Sequence, residues 1–141
     1  MVTKDYIYEL SNTLSQLRSD RVKHQTQILS EYHVFDENKS VAWNKAEVAR
    51  NNTKHHVAIA DLSKQIDTIT NNIISAVTKY TASMFECSES VAEHIIDYVL
   101  HDDYDFYRGY DIQDTVERID NLHELFVAIK DDALNDNDKG D

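Results

Sequence analysis

The sequence predicts an all-α fold: a long antiparallel helical hairpin of coiled-coil type, carrying a small acidic helical lobe. Three observations predict it. The 141 residues contain no proline and two glycines, so the turn residues that a strand-rich fold needs at short intervals are missing. Apolar residues recur at alternating steps of three and four along most of the chain, the period of helices that pack on helices. The charge is also divided. Residues 1–85 hold ten Lys/Arg against nine Asp/Glu, whereas residues 86–141 hold four against seventeen, so +1 and −13 make up the net −12.

The first helix is predicted over Thr3 to Tyr32, with Ile7, Leu10, Leu14, Leu17, Arg21, His24 and Ile28 as its seam. Arg21 and His24 interrupt that seam with polar groups. Residues 34–40, VFDENKS, read as the turn, and Ser40 is placed to cap the helix that follows. The second helix is predicted over Val41 to Phe85. Its seam is Val41, Lys45, Val48, Asn52, His55, Ile59, Leu62, Ile66, Ile69, Ile73, Ala76 and Tyr80, with polar residues again in the middle. Folding the two helices about the turn pairs Ile7 with Ile66, Leu14 with Ile59, Leu17 with His56 and Arg21 with Asn52, so the polar layers coincide. A break at 50–53 or 70–72 is the alternative, because asparagine and threonine are poor mid-helix residues. An unbroken second helix would reach about 65 Å and overhang the first. Residues 71–85 are therefore expected to pack on the acidic lobe or on a second copy of the chain.

Ser90-Val-Ala-Glu93 has the spacing of a capping box and predicts a third helix from Val91 to His101. Asp111 is placed to cap a fourth, Ile112 to Leu134, with the stripe Ile112, Val116, Ile119, Leu122, Phe126, Ile129 and Ala133. The expected organisation is a near-neutral hairpin over 1–85, an acidic two-helix lobe over 86–134 and a mobile acidic tail over 135–141.

Several function classes lack their chemistry. No apolar run approaches the ~18 residues of a membrane span. Cys87 is the only cysteine, so no internal disulfide forms, and a reduced, cytoplasmic setting is the expectation. With two glycines and no P-loop or dinucleotide fingerprint, phosphate-cradling loops are excluded, and no serine or cysteine nucleophile arrangement is present. The chain is therefore expected to be non-enzymatic and free of cofactors.

Three local patterns imitate known chemistry. Counting Asp103 as the first position of a calcium loop puts Asp105, Asp111 and Asp114 at ligand positions. Tyr107, however, replaces the fifth ligand, and Gly109 falls one place late. His94, Asp97 and His101, with Glu93 beside them, share a helix face at metal-ligand steps, but no second cluster completes a site. Arg50 to His55, RNNTKH, resembles the arginine–histidine motif of HEPN-type ribonucleases. That resemblance implies His55 in acid–base chemistry and Arg50 on phosphate. It covers six residues, and Arg18/His24 and Arg118/His123 have similar spacing.

The strongest signal is the acidic lobe. Glu89, Glu93 and Asp97 recur at steps of four on the third helix; Glu117, Asp120 and Glu124 form a row on the fourth. Between them the stretch HDDYDFYRGYD, residues 101–111, interleaves carboxylates with aromatic rings. Rows of carboxylates about 5–6 Å apart approximate a phosphate backbone. In size, charge and helicity the chain is similar to small acidic proteins, often from phages, that occupy basic grooves of nucleases or polymerases as nucleic-acid decoys. The expected partner surface is Glu93, Asp97, Asp102, Asp103, Tyr104, Asp105, Tyr107, Tyr110, Asp111 and Asp114. The expected partner is a protein with a basic groove rather than nucleic acid, with no membrane contact, and the chain itself is expected to be a homodimer. A coiled-coil scaffold, chaperone or adaptor is the alternative.

Overall fold

The computed structural model describes residues 1–100 and 112–139, with side chains through residue 133. Among these residues the chain is all-helical: α1 (Lys4–Gln25), α2 (Val41–Phe85), α3 (Glu89–Leu100) and α4 (Ile112–Lys139), with no strand. It divides into two compact units. One joins Met1–Asn12 to Thr70–Asp141, and the other is Thr13–Ile69.

The unit built on residues 1–12 and 70–139 holds most of the apolar core. Ile7, Ile73, Ala76, Val77, Ala92, Ile96, Val99, Leu100, Ile112, Val116 and Ile119 are buried there, and α3 packs on α4. Three threonines, Thr78, Thr81 and Thr115, are buried in this core, and the first two satisfy their hydroxyls on their own helix. Thr78 and Thr81 donate to the carbonyls of Ile74 and Val77 at 2.8 Å, the backward bond a mid-helix threonine makes when no water reaches it. The helix α2 stops at Phe85 through a Schellman turn. Cys87 N–H reaches the Ala82 carbonyl at 3.0 Å, and Glu86 takes the left-handed conformation at φ 53°, a position that usually selects glycine. The cap of α3 is Ser88, whose hydroxyl accepts from Val91 N–H at 3.2 Å. It therefore lies two residues before the capping box expected at Ser90, and the helix begins at Glu89. On α4 the predicted stripe is buried at Ile112, Val116 and Ile119, then runs off the core, with Phe126 and Ile129 exposed. The helix also continues to Lys139, five residues past its expected end.

The unit 13–69 is held differently. Its buried apolar side chains are Leu14, Val48 and Ile66, joined by the half-buried Leu17, Ile28, Leu29, Ile59, Leu62 and Ile69, and side-chain hydrogen bonds add to that order. Here the structure corrects the predicted first helix. It ends at Gln25, seven residues early, where Thr26 turns its hydroxyl onto the Lys23 carbonyl and tight turns bring Gln27 N–H to His24 and Ile28 N–H to Gln25. Residues 26–40 then run as a non-helical connector pinned by asparagines of α2. The Asn52 amide accepts from Leu29 N–H and donates to the Leu29 carbonyl, both at 2.9 Å, and Asn51 donates to the Gln27 carbonyl. Two helical turns earlier, the buried Asn44 makes four bonds. Its oxygen accepts from Phe35 and Asp36 N–H, and its nitrogen donates to the carbonyls of Asp36 and Ser40. Ser40 caps α2 as expected, accepting from Trp43 N–H at 3.0 Å.

The predicted register is corrected for the same reason. Arg21 bonds Ser63 rather than facing Asn52, and His24 meets His55. The non-helical connector occupies residues 26–40 rather than 34–40. It shifts the partners of Arg21 and His24 from those that a short turn at 34–40 would impose. The second helix itself is unbroken from Val41 to Phe85, without the interruptions weighed at 50–53 and 70–72.

Candidate functional site

Among the described residues of the expected partner surface, Glu93 and Asp97 stand one turn apart on the exposed side of α3, and Asp114 is exposed in the first turn of α4. The short α3 buries Ala92, Ile96, Val99 and Leu100, which turns the remaining positions outward. Asp114 is paired with Arg118 at 3.0 Å, one turn along the same helix. Asp102, Asp103, Tyr104, Asp105, Tyr107, Tyr110 and Asp111 lie outside the described residues, as do His101 and most of the calcium-like loop.

Beside these carboxylates lies a groove of about 560 Å³ between α3 and α4, lined by Tyr98, Val99, Arg118, Asn121, Leu122 and Leu125. Tyr98 and Leu125 are more than half exposed, at 64% and 57%. Leu125, Phe126 and Ile129 continue the apolar surface along α4, with Glu124, Asp131 and Asp132 exposed on the same helix. Tyrosine and leucine set among carboxylates form a surface that has both area to bury and charge to steer. Leu122, Phe126 and Ile129 belong to the predicted stripe of α4, whereas Leu125 lies outside it. Past Ile119, the last buried residue of the stripe, α4 is held by Phe85, whose ring meets His123 at 5.1 Å and Phe126 at 5.7 Å and leaves Ile129 outward.

Asp120 departs from the expected acidic row. Rather than facing solvent with Glu117 and Glu124, it accepts a 2.5 Å hydrogen bond from the Tyr80 hydroxyl and forms an ion pair with Lys4. Burial, then the bond to Asp120, push the Tyr80 hydroxyl well above the usual tyrosine range; Lys4 is raised chiefly by its hydrogen bond to Asp120. Asp120 thus ties α1, α2 and α4 together within one unit. Spacing alone could not separate it from its exposed neighbours.

Arg50 and His55 are not brought together. Arg50 is exposed and paired with Glu47 at 2.5 Å, whereas His55 is 5% exposed and bonded to His24. Five residues on a helix are roughly 140° apart, so the two side chains leave α2 on different faces. Cys87 is a half-buried free thiol. Among the described residues no group of three or more His, Cys, Asp or Glu could hold a metal, and no helix is long and apolar enough to cross a membrane.

Comparison with protein-family models, curated proteins and solved structures finds no match to this chain. Its function is therefore read from its own surface.

Proposed function

We propose that this chain is a non-catalytic interaction protein whose acidic part, residues 86–141, binds a basic surface of a nucleic-acid-processing enzyme and competes there with nucleic acid. The observation that carries this reading is the exposed row of carboxylates on α3 and α4 (Glu93, Asp97, Glu117 and Glu124) beside the apolar groove at Tyr98, Leu122 and Leu125. Carboxylates alone would serve solubility; carboxylates around exposed apolar side chains suit a partner. In the same reading, α1, its connector and α2 form an antiparallel hairpin. The falling order of partners along α2, from Ser63 to His55 to Asn52, supports it. The coiled-coil character of that hairpin is confined to its seam, because asparagine clamps replace knobs near the tip.

The test is capture of partners from the native host at low and high salt, with the Glu93→Gln/Asp97→Asn/Glu124→Gln variant alongside. The partner should be a basic, nucleic-acid-processing protein, retained at roughly 50 mM salt, released by roughly 500 mM, and weakly held by the variant. A partner retained equally by the variant and at high salt would overturn the reading.

One observation favours a second reading, a helical assembly protein that dimerises. Phe126 and Ile129 are exposed at 47% and 60% on α4, Phe126 while also resting on Phe85 with ring centroids 5.7 Å apart. Sedimentation of the wild type and of Phe126→Ser/Ile129→Ser separates the two readings. A dimer lost in that variant, with no salt-sensitive partner, would favour assembly.

A further inference from the structure

We propose that His24 and His55 form a pH-sensitive latch, which holds the end of α1 against α2 when the pair carries one proton between its facing nitrogens and releases it when a second proton arrives. The two Nδ1 atoms are 2.9 Å apart, and the rings stand 5.2 Å centroid to centroid. A contact of that length between imidazole nitrogens requires one to donate and the other to accept. When both imidazoles are charged, each facing nitrogen carries a hydrogen, so two N–H groups and two positive charges stand head to head, and His55, 5% exposed, is held away from water.

The surroundings do not rescue the doubly protonated pair. From α1, Asp20 and Lys23 line the adjacent cavity with His24; from α2, Asp61 lines it, and from the connector, Gln27. Neither carboxylate is bonded to the histidines: Asp20 accepts from Gln16 at 2.9 Å and pairs with Lys23 at 3.8 Å, and Asp61 accepts from Gln65 at 3.1 Å. Arg21 is occupied by Ser63. Lys54 and His56 add positive field. Burial first, then His24, Lys54 and His56, push His55 below the usual histidine value. The sign follows: a lowered value in the folded chain means stability that is present above about pH 6.5 and lost as pH falls below it.

The latch is placed where its release has a consequence. His24 is the penultimate residue of α1, and the Asn51–Asn52 clamp on Gln27 and Leu29 begins one turn from His55. Near the pair the apolar side chains Ile28, Leu29 and Ile59 are only half-buried, so opening it loosens the last turn of α1 and the start of the connector, and leaves the Asp120-centred unit intact. None of this rests on the partner-binding reading above.

The test is amide hydrogen exchange on the intact chain at pH 7.5 and 5.5, corrected for the intrinsic pH dependence of exchange, with His55→Asn as the control. Asparagine offers an acceptor that no proton removes, so the contact persists at both pH values. Wild-type protection over residues 20–29 should fall about tenfold or more at the lower pH, while residues 73–81 hold theirs. In His55→Asn the pH dependence should vanish. Nitrogen NMR of the wild-type imidazoles keeps the idea falsifiable if that variant does not fold. At pH 7.5 one Nδ1 should be protonated and its partner bare; at pH 5.5 both should be protonated. Protection unchanged between the two pH values, or a variant with the same pH loss, would overturn the latch.

Discussion

Replacing Asn52 by leucine distinguishes two physical accounts of the same sequence position. In a coiled-coil seam a lone asparagine costs stability, and leucine in its place strengthens the helix pair. In the structure Asn52 instead acts as a backbone mimic, closing two 2.9 Å bonds on the N–H and carbonyl of Leu29. Each such bond contributes about 1 kcal/mol net. Asn52 is half-buried, so water replaces part of what is lost, and the expected cost of Asn52→Leu is about 1–2 kcal/mol. For a chain of this length that lowers Tm by roughly 5 °C. Thermal unfolding gives the global number, and exchange at the Leu29 amide gives the local one, since that proton loses its only acceptor. A variant more stable than the wild type, or a Leu29 amide equally protected without the asparagine, would refute the clamp and restore the seam.

Three further outcomes follow from the geometry. Asn44→Ala removes four hydrogen bonds from a side chain 7% exposed, and should cost about 2–4 kcal/mol, read by denaturant unfolding, with the turn at 35–40 losing protection first. Tyr80→Phe loses the bond to Asp120 and about 1–2 kcal/mol. Because the folded Tyr80 holds its proton above the ordinary value, the wild type should lose stability as pH rises beyond about 10, and the variant should lose less of it over the same window, as thermal melts at rising pH would reveal. Glu86→Gly relieves the left-handed strain at the end of α2 and should be stabilising by up to about 1 kcal/mol, whereas Glu86→Val should be destabilising.

The helices were legible in the sequence because their signal is periodic. The seam of α2 from Val48 to Tyr80 is buried or half-buried throughout, and Ser40 caps it as the spacing demands. The connector was not legible because its order comes from side chains distant in sequence. Nothing in TQILSEY announces that Asn51 and Asn52 lie alongside it, and the apolar Ile28 extends the helical period past the point where α1 stops. The register failed with it, since the pairing was derived from a turn at 34–40. Of the candidate surface, the charge asymmetry was readable from composition. Its sorting was not. Asp120 sits in the same sequence row as Glu117 and Glu124 yet is drawn inward by Tyr80 and Lys4, and Phe126 and Ile129 continue the periodic stripe yet stay exposed, with only Phe126 resting on Phe85.

The binding account is tested most directly by the salt dependence of affinity for the captured partner, measured as Kd across a series of salt concentrations for the wild type and the Glu93→Gln/Asp97→Asn/Glu124→Gln variant. The account predicts a steep loss of affinity with rising salt and a shallower slope in the variant, with nucleic acid competing for the same partner. A Kd indifferent to salt, with the variant binding as tightly as the wild type, would contradict it.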